Sequence, residues 1–354
     1  LLKYLINMDR KTKIIATVGP SLASKEKIHI AINSGVNVFR INFSHGTLDE
    51  HKKFIDWARS SKKQVAIMQD IQGPKIRTGQ VNENTVLQKS QEINLTNKEV
   101  ESSDEIIYIN YKNLYEDINV NDRVFIDDGQ MILKITEKQK NKLKALILIG
   151  GELRDNQGVA FPDSKLSVAA ITEQDIEHLK FGTKQGVDFV AVSFVRNSDD
   201  IQAVRDIIPK DIKIIAKIEL KTALENIDEI LDISDGVMVA RGDLGVQLPI
   251  EQVPFVQKQI LDAANSKGKI SITATEMLQS MKSSYRPTRA EVTDITNAIL
   301  EGSDAVMLSA ETSIGDHPNR VIEVMSNICE EVDSRNDTSS LLSKEDSKED
   351  SFTT

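Results

Sequence analysis

Residues 234–245 read SDGVMVARGDLG, and this stretch contains the pattern that decides the fold. The small and apolar residues 236–240 form a run of the right length for a buried β-strand, and charged residues follow it at once. A glycine stands where the strand begins, which is typical of a chain that has just left a helix. Similar stretches occur at 34–39 (SGVNVF) and 185–190 (QGVDFV). We infer a weak repeat of helix, glycine and buried strand.

Strand-like runs and helix-like patterns alternate along most of the chain. The apolar runs predict β-strands at residues 13–18, 36–42, 65–70, 188–194, 213–218, 236–240, 270–274 and 305–309. The amphipathic stretches between or after them predict helices at residues 25–33, 48–58, 173–184, 199–208, 223–231, 253–265, 289–300 and 319–332. Eight such units in chain order predict an α/β fold, the closed parallel (β/α)8 or TIM barrel.

One interval, residues 79–161, breaks this alternation. Its runs and turns are typical of β-strands, and a tight turn is expected at Asp127-Asp128-Gly129. We therefore predict a barrel made of residues 9–78 and 162–335, with a small all-β domain, 79–161, inserted after the third strand. An insertion at that point lies over the carboxyl ends of the barrel strands, where it can act as a lid.

The two ends of the chain differ from the rest in composition. Residues 1–7 are too short for the apolar core of a signal peptide, and Met8 is a candidate start that would make them an upstream extension. Residues 336–354 are rich in Ser, Asp, Glu and Lys. We expect a disordered tail there, because such a segment buries little apolar surface.

Composition excludes several classes of function. The chain has 44 Lys or Arg and 54 Asp or Glu, a net charge of −10, which argues against binding nucleic acid or an anionic membrane. Cys329 is the only cysteine, so an intrachain disulfide is impossible and the reducing cytoplasm is the expected location. Apolar runs stay well below the ~20 residues needed to span a membrane. A local cluster of Arg and Lys can still bind an anionic small molecule.

Charged residues stand at the ends of the second, the third and the last four predicted strands. In a parallel barrel the carboxyl ends of the strands carry the active site. The cations there are Arg40, Lys75, Arg77, Lys217 and Arg241, and the anions are Asp70, Glu219, Asp243 and Glu311. This mixture suits a phosphorylated substrate and a hard divalent metal, and Glu219 and Asp243, from neighbouring strands, are candidates to share one Mg²⁺ or Mn²⁺. Each motif taken alone has an ordinary structural interpretation, so the argument rests on their joint order.

Nine short motifs point to a known family. They are residues 16–21 (ATVGPS), 39–46 (FRINFSHG), 70–79 (DIQGPKIRTG), 127–129 (DDG), 217–219 (KIE), 238–245 (MVARGDLG), 274–278 (ATEML), 286–291 (RPTRAE) and 307–312 (MLSAET). With them the chain resembles the pyruvate kinase family over residues 9–335. The resemblance implies phosphoryl transfer from phosphoenolpyruvate to ADP, giving pyruvate and ATP.

The resemblance also implies roles for the strand-end residues. Arg40 would grip the transferring phosphoryl group, and Lys217 would neutralise charge on that group and on the enolate. Glu219 and Asp243 would hold Mg²⁺ or Mn²⁺. The backbone amides of Gly242 and Asp243 would hold the substrate carboxylate together with the Thr275 hydroxyl. Thr275 would also lie on the face where the enolate is protonated, through a relay that includes Glu311.

The nucleotide and monovalent-cation positions follow from the same resemblance. Asn42, His45 and Arg77 would reach the nucleotide. Potassium-dependent members hold K⁺ with residues matching Asn42, Ser44, Asp70 and the carbonyl of Ile71, and they carry a glutamate at the position of Lys75. We expect the Lys75 ammonium to replace K⁺, so that K⁺ is not required. The alternative is that Lys75 is a solvent-facing lysine at the lid hinge.

The chain departs from the family pattern at several positions. A lid lysine that helps to bind nucleotide in the family falls at Gln157, and Arg154 is a candidate substitute. Residues near the metal and substrate positions also differ: Leu220, Gln247 and Glu276. We further expect the family's C-terminal effector domain to be absent, so that sugar phosphates would not activate the enzyme.

Two other functions remain open on the sequence alone. One is a non-catalytic relative that binds phosphoenolpyruvate or a nucleotide, and the other is a metal-dependent lyase that acts on pyruvate enolate. The first is disfavoured because Arg40, Lys217, Glu219, Asp243 and Thr275 are all present. The second leaves Arg40, Arg77 and the large insertion unexplained. Assembly into a homo-oligomer through the barrel is a further expectation.

Overall fold

A computed structural model describes residues 10–349, with side chains described from Arg10 to Asn336. The predicted upstream extension, residues 1–7, lies outside this part. The prediction of a (β/α)8 barrel is confirmed, because eight parallel strands close on themselves and each pairs with its neighbours in chain order. The barrel strands are Lys13–Thr17, Val38–Asn42, Ala66–Ile71, Phe189–Val192, Lys213–Ile218, Gly236–Ala240, Ile270–Ala274 and Ala305–Leu308. We number them first to eighth.

Helices surround this barrel. They are Lys25–Asn33, Leu48–Arg59, Glu173–Gln185, Ser198–Arg205, Lys221–Glu225, Ile227–Ile233, Arg241–Gln247, Val253–Ser266, Arg289–Leu300, Ala310–Ser313 and Pro318–Glu349, with short 3₁₀ turns at Pro20–Leu22, Ile250–Gln252 and Gln279–Lys282. The helix expected over 223–231 is broken at Asn226, where the backbone leaves helical geometry (φ −113°, ψ 19°). Within residues 10–349, the helices are too short or too polar to cross a membrane.

The last helix is longer than the predicted one, which covers residues 319–332. It begins at Pro318 and continues to Glu349, so it enters the segment 336–354, whose assignment as a disordered tail stays a prediction. Neither glycine nor proline follows Pro318 in the sequence, so nothing in the chain breaks the helix where the apolar pattern fades.

Capping side chains position three of the long helices. Thr47, Thr172 and Thr288 each accept a hydrogen bond from the backbone three residues later, and the acidic residue at that position bonds back to the cap. Such reciprocal caps satisfy backbone N–H groups that a helix start leaves unpaired. The helix Glu173–Gln185 ends at Gly186 in the left-handed conformation (φ 67°), which turns the chain into the fourth strand.

Two apolar layers hold the barrel together. Side chains on the outer face of the strands pack against the helices, for example Ile14, Ile67 and Val237. Side chains on the inner face fill the barrel itself, and Ile15, Met68 and Met238 belong to this second cluster. Because successive strand residues point to opposite faces, seven of the barrel strands contribute to both layers. The seventh strand contributes only to the inner layer, since its outer face carries the buried polar residues Ser271 and Thr273. The barrel is therefore a packed core, and only the strand ends are available for chemistry.

The insertion after the third strand folds as a β domain, which we call the lid. Its strands are Val86–Leu87, Glu92–Thr96, Ile106–Tyr108, Arg123–Ile126, Met131–Gln139, Lys142–Ile149, Gly151–Glu152 and Val159–Ala160, and six of them form one sheet around a separate apolar core. One short helix, Leu114–Asp117, interrupts the strands, where the sequence pattern had shown none. The expected tight turn is present, with Asp127 and Asp128 at φ 55° and 51°. The exact domain boundaries stay a prediction.

The packing of the sixth and seventh strands predicts a strong effect of one methyl group. A Cβ atom at Gly236 would lie 2.5 Å from the carbonyl oxygen of Ile270. We expect Gly236→Ala to lower the free energy of unfolding by about 1–3 kcal/mol, because the backbone at Ile270 must move to make room for the added methyl group. Gly158→Ala is the matched control, since nothing lies within 4 Å of its Cβ position. Urea unfolding followed by circular dichroism measures both. An equal, small effect at the two sites would contradict the close approach of these strands.

Candidate active site

Asp70, at the end of the third barrel strand, is the centre of a buried charge cluster. It is 1% exposed, and its carboxylate accepts a hydrogen bond from Arg40 Nε at 2.6 Å and lies 3.3 Å from Lys217 Nζ. Burial acts to raise the pKa of Asp70, but the charges of Arg40 and Lys217 outweigh it and hold that pKa below its usual value. Asp70 is therefore ionised at neutral pH.

Arg40, on the second strand, is oriented by groups from three other strands. Its Nη1 donates to the hydroxyl of Thr17 at 3.0 Å, and that hydroxyl donates to the carbonyl of Leu308 at 2.8 Å. The first, second, third and eighth strands thus fix the direction of one guanidinium. A side chain held in this way loses little further conformational freedom when it binds an anion.

Lys217, on the fifth strand, is a buried cation with three oxygen neighbours. Its Nζ lies 2.7 Å from Ser193 Oγ, 2.9 Å from Glu219 Oε1 and 3.3 Å from Asp70 Oδ1. Burial alone would lower the pKa of Lys217, but the negative charges of Asp70 and Glu219 outweigh it and raise that pKa. Lys217 therefore keeps its charge while 9% exposed.

Glu219 follows Lys217 by two residues and has a perturbed pKa. Burial first, and then the charge of Asp243, raises the pKa of Glu219 to about 7, although Lys217 and a 2.7 Å hydrogen bond from the Phe194 amide favour its ionised form. Asp243 lies in the first turn of the helix Arg241–Gln247 and is exposed. The two carboxylates are near enough for their charges to oppose each other.

This pair of carboxylates fits a divalent cation. A dication would relieve the repulsion between Glu219 and Asp243 and would favour the ionised form of Glu219. Among the described side chains, no group of three or more His, Cys, Asp or Glu is arranged to hold a metal. Two carboxylates with positions left for water and phosphate oxygens are the coordination that Mg²⁺ commonly takes in phosphoryl-transfer enzymes.

Thr275 and Gly242 meet at the ends of the seventh and sixth strands. The amide of Gly242 donates to the Thr275 hydroxyl at 2.9 Å. Thr275 and the next residue, Glu276, both have positive φ, 68° and 54°, which is costly for residues other than glycine. Arg241 holds this backbone in place by donating to the carbonyl of Thr275 at 2.7 Å, and Asp294 accepts from the same guanidinium at 2.7 Å.

Glu311 is completely buried at the start of the short helix Ala310–Ser313. Its two carboxylate oxygens accept hydrogen bonds from the amides of Leu278 at 3.1 Å and Ser309 at 2.7 Å. These contacts tie the loop after the seventh strand to the end of the eighth, so Glu311 supports the backbone next to Thr275.

The residues expected at the monovalent-cation position lie together. Lys75 Nζ donates to Ser44 Oγ at 3.2 Å, and Ser44 N donates to Asn42 Oδ1 at 3.1 Å. Burial, and then Arg77 and Lys217, lower the pKa of Lys75, whereas the charges of Asp243 and Asp70 oppose that shift. The ammonium of Lys75 therefore lies inside the cluster, among the groups expected to surround K⁺. The carbonyl of Ile71 accepts a hydrogen bond from Ser193 at 2.8 Å.

His45 and Arg77 lie on the open side of the cluster. Burial, followed by the charges of Lys75, Arg77 and Arg40, lowers the pKa of His45, which places all three cations near its ring. The backbone of Arg77 pairs with Gly158 of the lid, and its amide donates to Asn110 at 2.7 Å. Arg77 thus stands where barrel and lid join.

The side chain of Gln157 is not placed to bind a nucleotide. Its side chain is 8% exposed, and its Oε1 accepts a hydrogen bond from the amide of Arg154 at 2.8 Å. Arg154 itself is exposed, and its guanidinium is 3.7 Å from a carboxylate oxygen of Asp127. The structure thus leaves Arg154, and not Gln157, accessible from the solvent.

Sequence reasoning missed Ser193 and Phe194, which touch Lys217 and Glu219. Both fall inside the predicted fourth strand, 188–194, whereas in the structure that strand ends at Val192 and the two residues follow it. The rule that placed the other site residues at strand ends would have found them.

Comparisons with known proteins agree with this geometry. The family model "Pyruvate kinase, barrel domain" matches residues 9–322. Proteins named pyruvate kinase from Staphylococcus epidermidis and Thermotoga maritima are 42% and 44% identical, over 94% and 92% of this chain. A third, from Staphylococcus aureus, is 43% identical over 94% of the chain. The chain spans 59% of the length of the two staphylococcal relatives and 72% of the Thermotoga protein. The chain therefore belongs to the pyruvate kinase family, and the part described above is the family's barrel domain with its inserted lid.

Proposed function

We propose that the protein transfers the phosphoryl group of phosphoenolpyruvate to ADP and so forms pyruvate and ATP. The observation that carries the proposal is the buried cluster in which Arg40 and Lys217 share the carboxylate of Asp70. Phosphoryl transfer needs little covalent chemistry from the protein. Positioned positive charge lowers the activation barrier of the reaction through electrostatic stabilisation of the transition state. We place the protein in the cytoplasm, and assembly through the barrel stays a prediction.

Arg40 and Lys217 have complementary roles in this proposal. Arg40 is held by Asp70 and Thr17 and binds the transferring phosphoryl group. Lys217 is charged at neutral pH and neutralises the negative charge that develops on the phosphoryl group and on the enolate oxygen. Because Asp70 binds both cations, it sets the distance between these two charges.

Glu219 and Asp243 would hold Mg²⁺ or Mn²⁺, which family members generally use. The metal supplies Lewis-acid stabilisation of substrate oxygens. The Thr275 hydroxyl and the amides of Gly242 and Asp243 hold the substrate carboxylate at the adjoining strand ends. Thr275 then faces the carbon of the enolate that receives a proton.

The nucleotide would enter between the barrel and the lid. Asn42, His45 and Arg77 would line the barrel side of that entrance, and Arg154 is an exposed cation on the lid. Burial, followed by the charges of Lys75, Arg77 and Arg40, lowers the pKa of His45, so its ring is neutral at physiological pH. His45 therefore acts as a hydrogen-bonding group rather than as a charge.

Replacement of Lys217 tests the assignment of the reaction. Pyruvate formation from phosphoenolpyruvate and ADP is followed with lactate dehydrogenase and NADH. We expect turnover in the unmodified protein and a loss of about 10²–10³-fold in kcat in Lys217→Met, with a much smaller change in KM. Lys213→Met is the control, since Lys213 lies at the opposite end of the same strand. Substrate binding without turnover in the unmodified protein would favour the non-catalytic alternative, and near-normal turnover of Lys217→Met would remove that lysine from the mechanism.

Replacement of Asp243 tests the metal site. Asp243→Asn removes one of the two carboxylates, so we expect the Mg²⁺ concentration for half-maximal rate to rise at least about tenfold. Asp262→Asn, at an exposed position on the helix Val253–Ser266, is the matched control. Titration of the rate with MgCl₂ at fixed ionic strength measures both. An unchanged midpoint for Asp243→Asn would contradict its role as a ligand.

The place of Lys75 supports independence from K⁺. Its ammonium contacts Ser44 and lies close enough to Asp70 for the two charges to interact. A tethered ammonium brings the positive charge of K⁺ without the entropic cost of capturing a free ion. The enclosed position of Lys75 argues against the solvent-facing alternative.

Removal of all small monovalent cations tests this interpretation of Lys75. In a tetramethylammonium buffer we expect the unmodified protein to be fully active and to respond less than about twofold to added KCl. In the same buffer, the kcat of Lys75→Glu should be at least about tenfold lower than that of the unmodified protein. This variant should regain activity when K⁺ is added, because the new carboxylate completes a cation site. Lys184→Glu, an exposed change of the same charge, is the control. Tenfold or greater activation of the unmodified protein by K⁺ would show that Lys75 does not replace the ion.

A further inference from the structure

The end of the fourth barrel strand contacts the reacting cluster without a role in the mechanism above. Ser193 contacts Lys217, and the amide of Phe194, the next residue, donates to Glu219. We propose that Ser193 is a positioning residue, which directs the Lys217 ammonium toward the phosphoryl group. This inference rests on the proposed phosphoryl transfer.

The shortest contact of the ammonium is the one to Ser193. The distance from Lys217 Nζ is 2.7 Å to Ser193 Oγ, compared with 2.9 Å to Glu219 and 3.3 Å to Asp70. Both carboxylates neutralise part of the charge of Lys217 and so compete with an anionic substrate for it. A neutral hydroxyl fixes the direction of the ammonium and leaves that charge available.

The direction of the hydrogen bond between Lys217 and Ser193 is fixed by chemistry. The Ser193 hydroxyl has two acceptors for its own hydrogen, the carbonyl of Ile71 at 2.8 Å and Asp70 Oδ1 at 3.3 Å, and with either one its lone pairs remain for Lys217. An ammonium has hydrogens but no lone pair, and it can only donate to this oxygen. Ser193 is 4% exposed, so bulk water is kept from replacing the hydroxyl. Its removal leaves a buried charged donor without its closest acceptor, which is costly.

The backbone holds Ser193 in this position. Phe194 has a φ of 55°, an uncommon conformation for a bulky residue, and its amide bonds to Glu219 Oε2 at 2.7 Å. From the other side the loop after the third strand packs closely, since a Cβ atom at Gly73 would lie 3.2 Å from the Ser193 carbonyl oxygen. The hydroxyl is thus fixed between the third and fifth strands, where Asp70 and Lys217 originate.

The test is a double-mutant cycle between Ser193 and Lys217 in the coupled assay. For Ser193→Ala we expect kcat to fall about 10- to 100-fold while KM for phosphoenolpyruvate changes less than about threefold. Ser193→Thr keeps the hydroxyl and should restore most of the rate. In the Lys217→Met background, Ser193→Ala should lower kcat by less than about twofold, because the ammonium that Ser193 positions is already gone. Ser271→Ala is the control, since Ser271 is equally buried in a barrel strand and donates to the Gly302 carbonyl.

The outcomes separate this inference from the proposed function. Absence of turnover in the unmodified protein would overturn both proposals. Turnover that Ser193→Ala leaves unchanged, or an equal loss with and without Lys217, would overturn only the role of Ser193. A general loss of stability would appear as a lower urea midpoint and as failure of the Ser193→Thr rescue, and it would also count against positioning. A loss that depends on Lys217 and is rescued by threonine, with Ser271→Ala unaffected, would support it.

Discussion

The carboxylate of Asp70 is the group on which the arrangement of the site depends. A buried carboxylate is costly unless cations surround it, and Asp70 receives two cations from different parts of the barrel. Arg40 comes from the neighbouring second strand, whereas Lys217 lies on the fifth strand, two strands away. A closed barrel in fixed register brings both cations to one carboxylate. The charge cluster and the fold therefore stabilise the same arrangement.

The balance of charge in this cluster explains why it suits an anion and a dication together. Asp70 is ionised and Lys217 is protonated, because each holds the other in its charged form. Glu219, with a pKa of about 7, carries only part of its negative charge at neutral pH. The cluster thus has positive charge to offer a phosphate, while the bound dication that we propose would complete the ionisation of Glu219.

Much of the fold could be predicted because each barrel strand is a short apolar run with polar flanks. The ordered charges at strand ends then located Arg40, Asp70, Lys217 and Glu219, which the structure brings together. Ser193 was missed because the apolar run predicts a strand as far as residue 194, whereas the strand ends at Val192 and leaves Ser193 at its end. The last helix runs beyond the predicted residues 319–332 because the apolar pattern fades there, whereas the absence of glycine and proline permits the helix to continue.

Backbone strain next to the site could not be predicted from the sequence. Phe194, Thr275 and Glu276 all have positive φ, and nothing about a phenylalanine, threonine or glutamate indicates that conformation. The strain persists because tertiary contacts oppose its release: Glu219 binds the amide of Phe194, and Arg241 binds the carbonyl of Thr275. These partners are themselves at the site. The chain therefore holds its proposed ligands by contacts among functional residues, so that a change to one of them disturbs the backbone supporting the next.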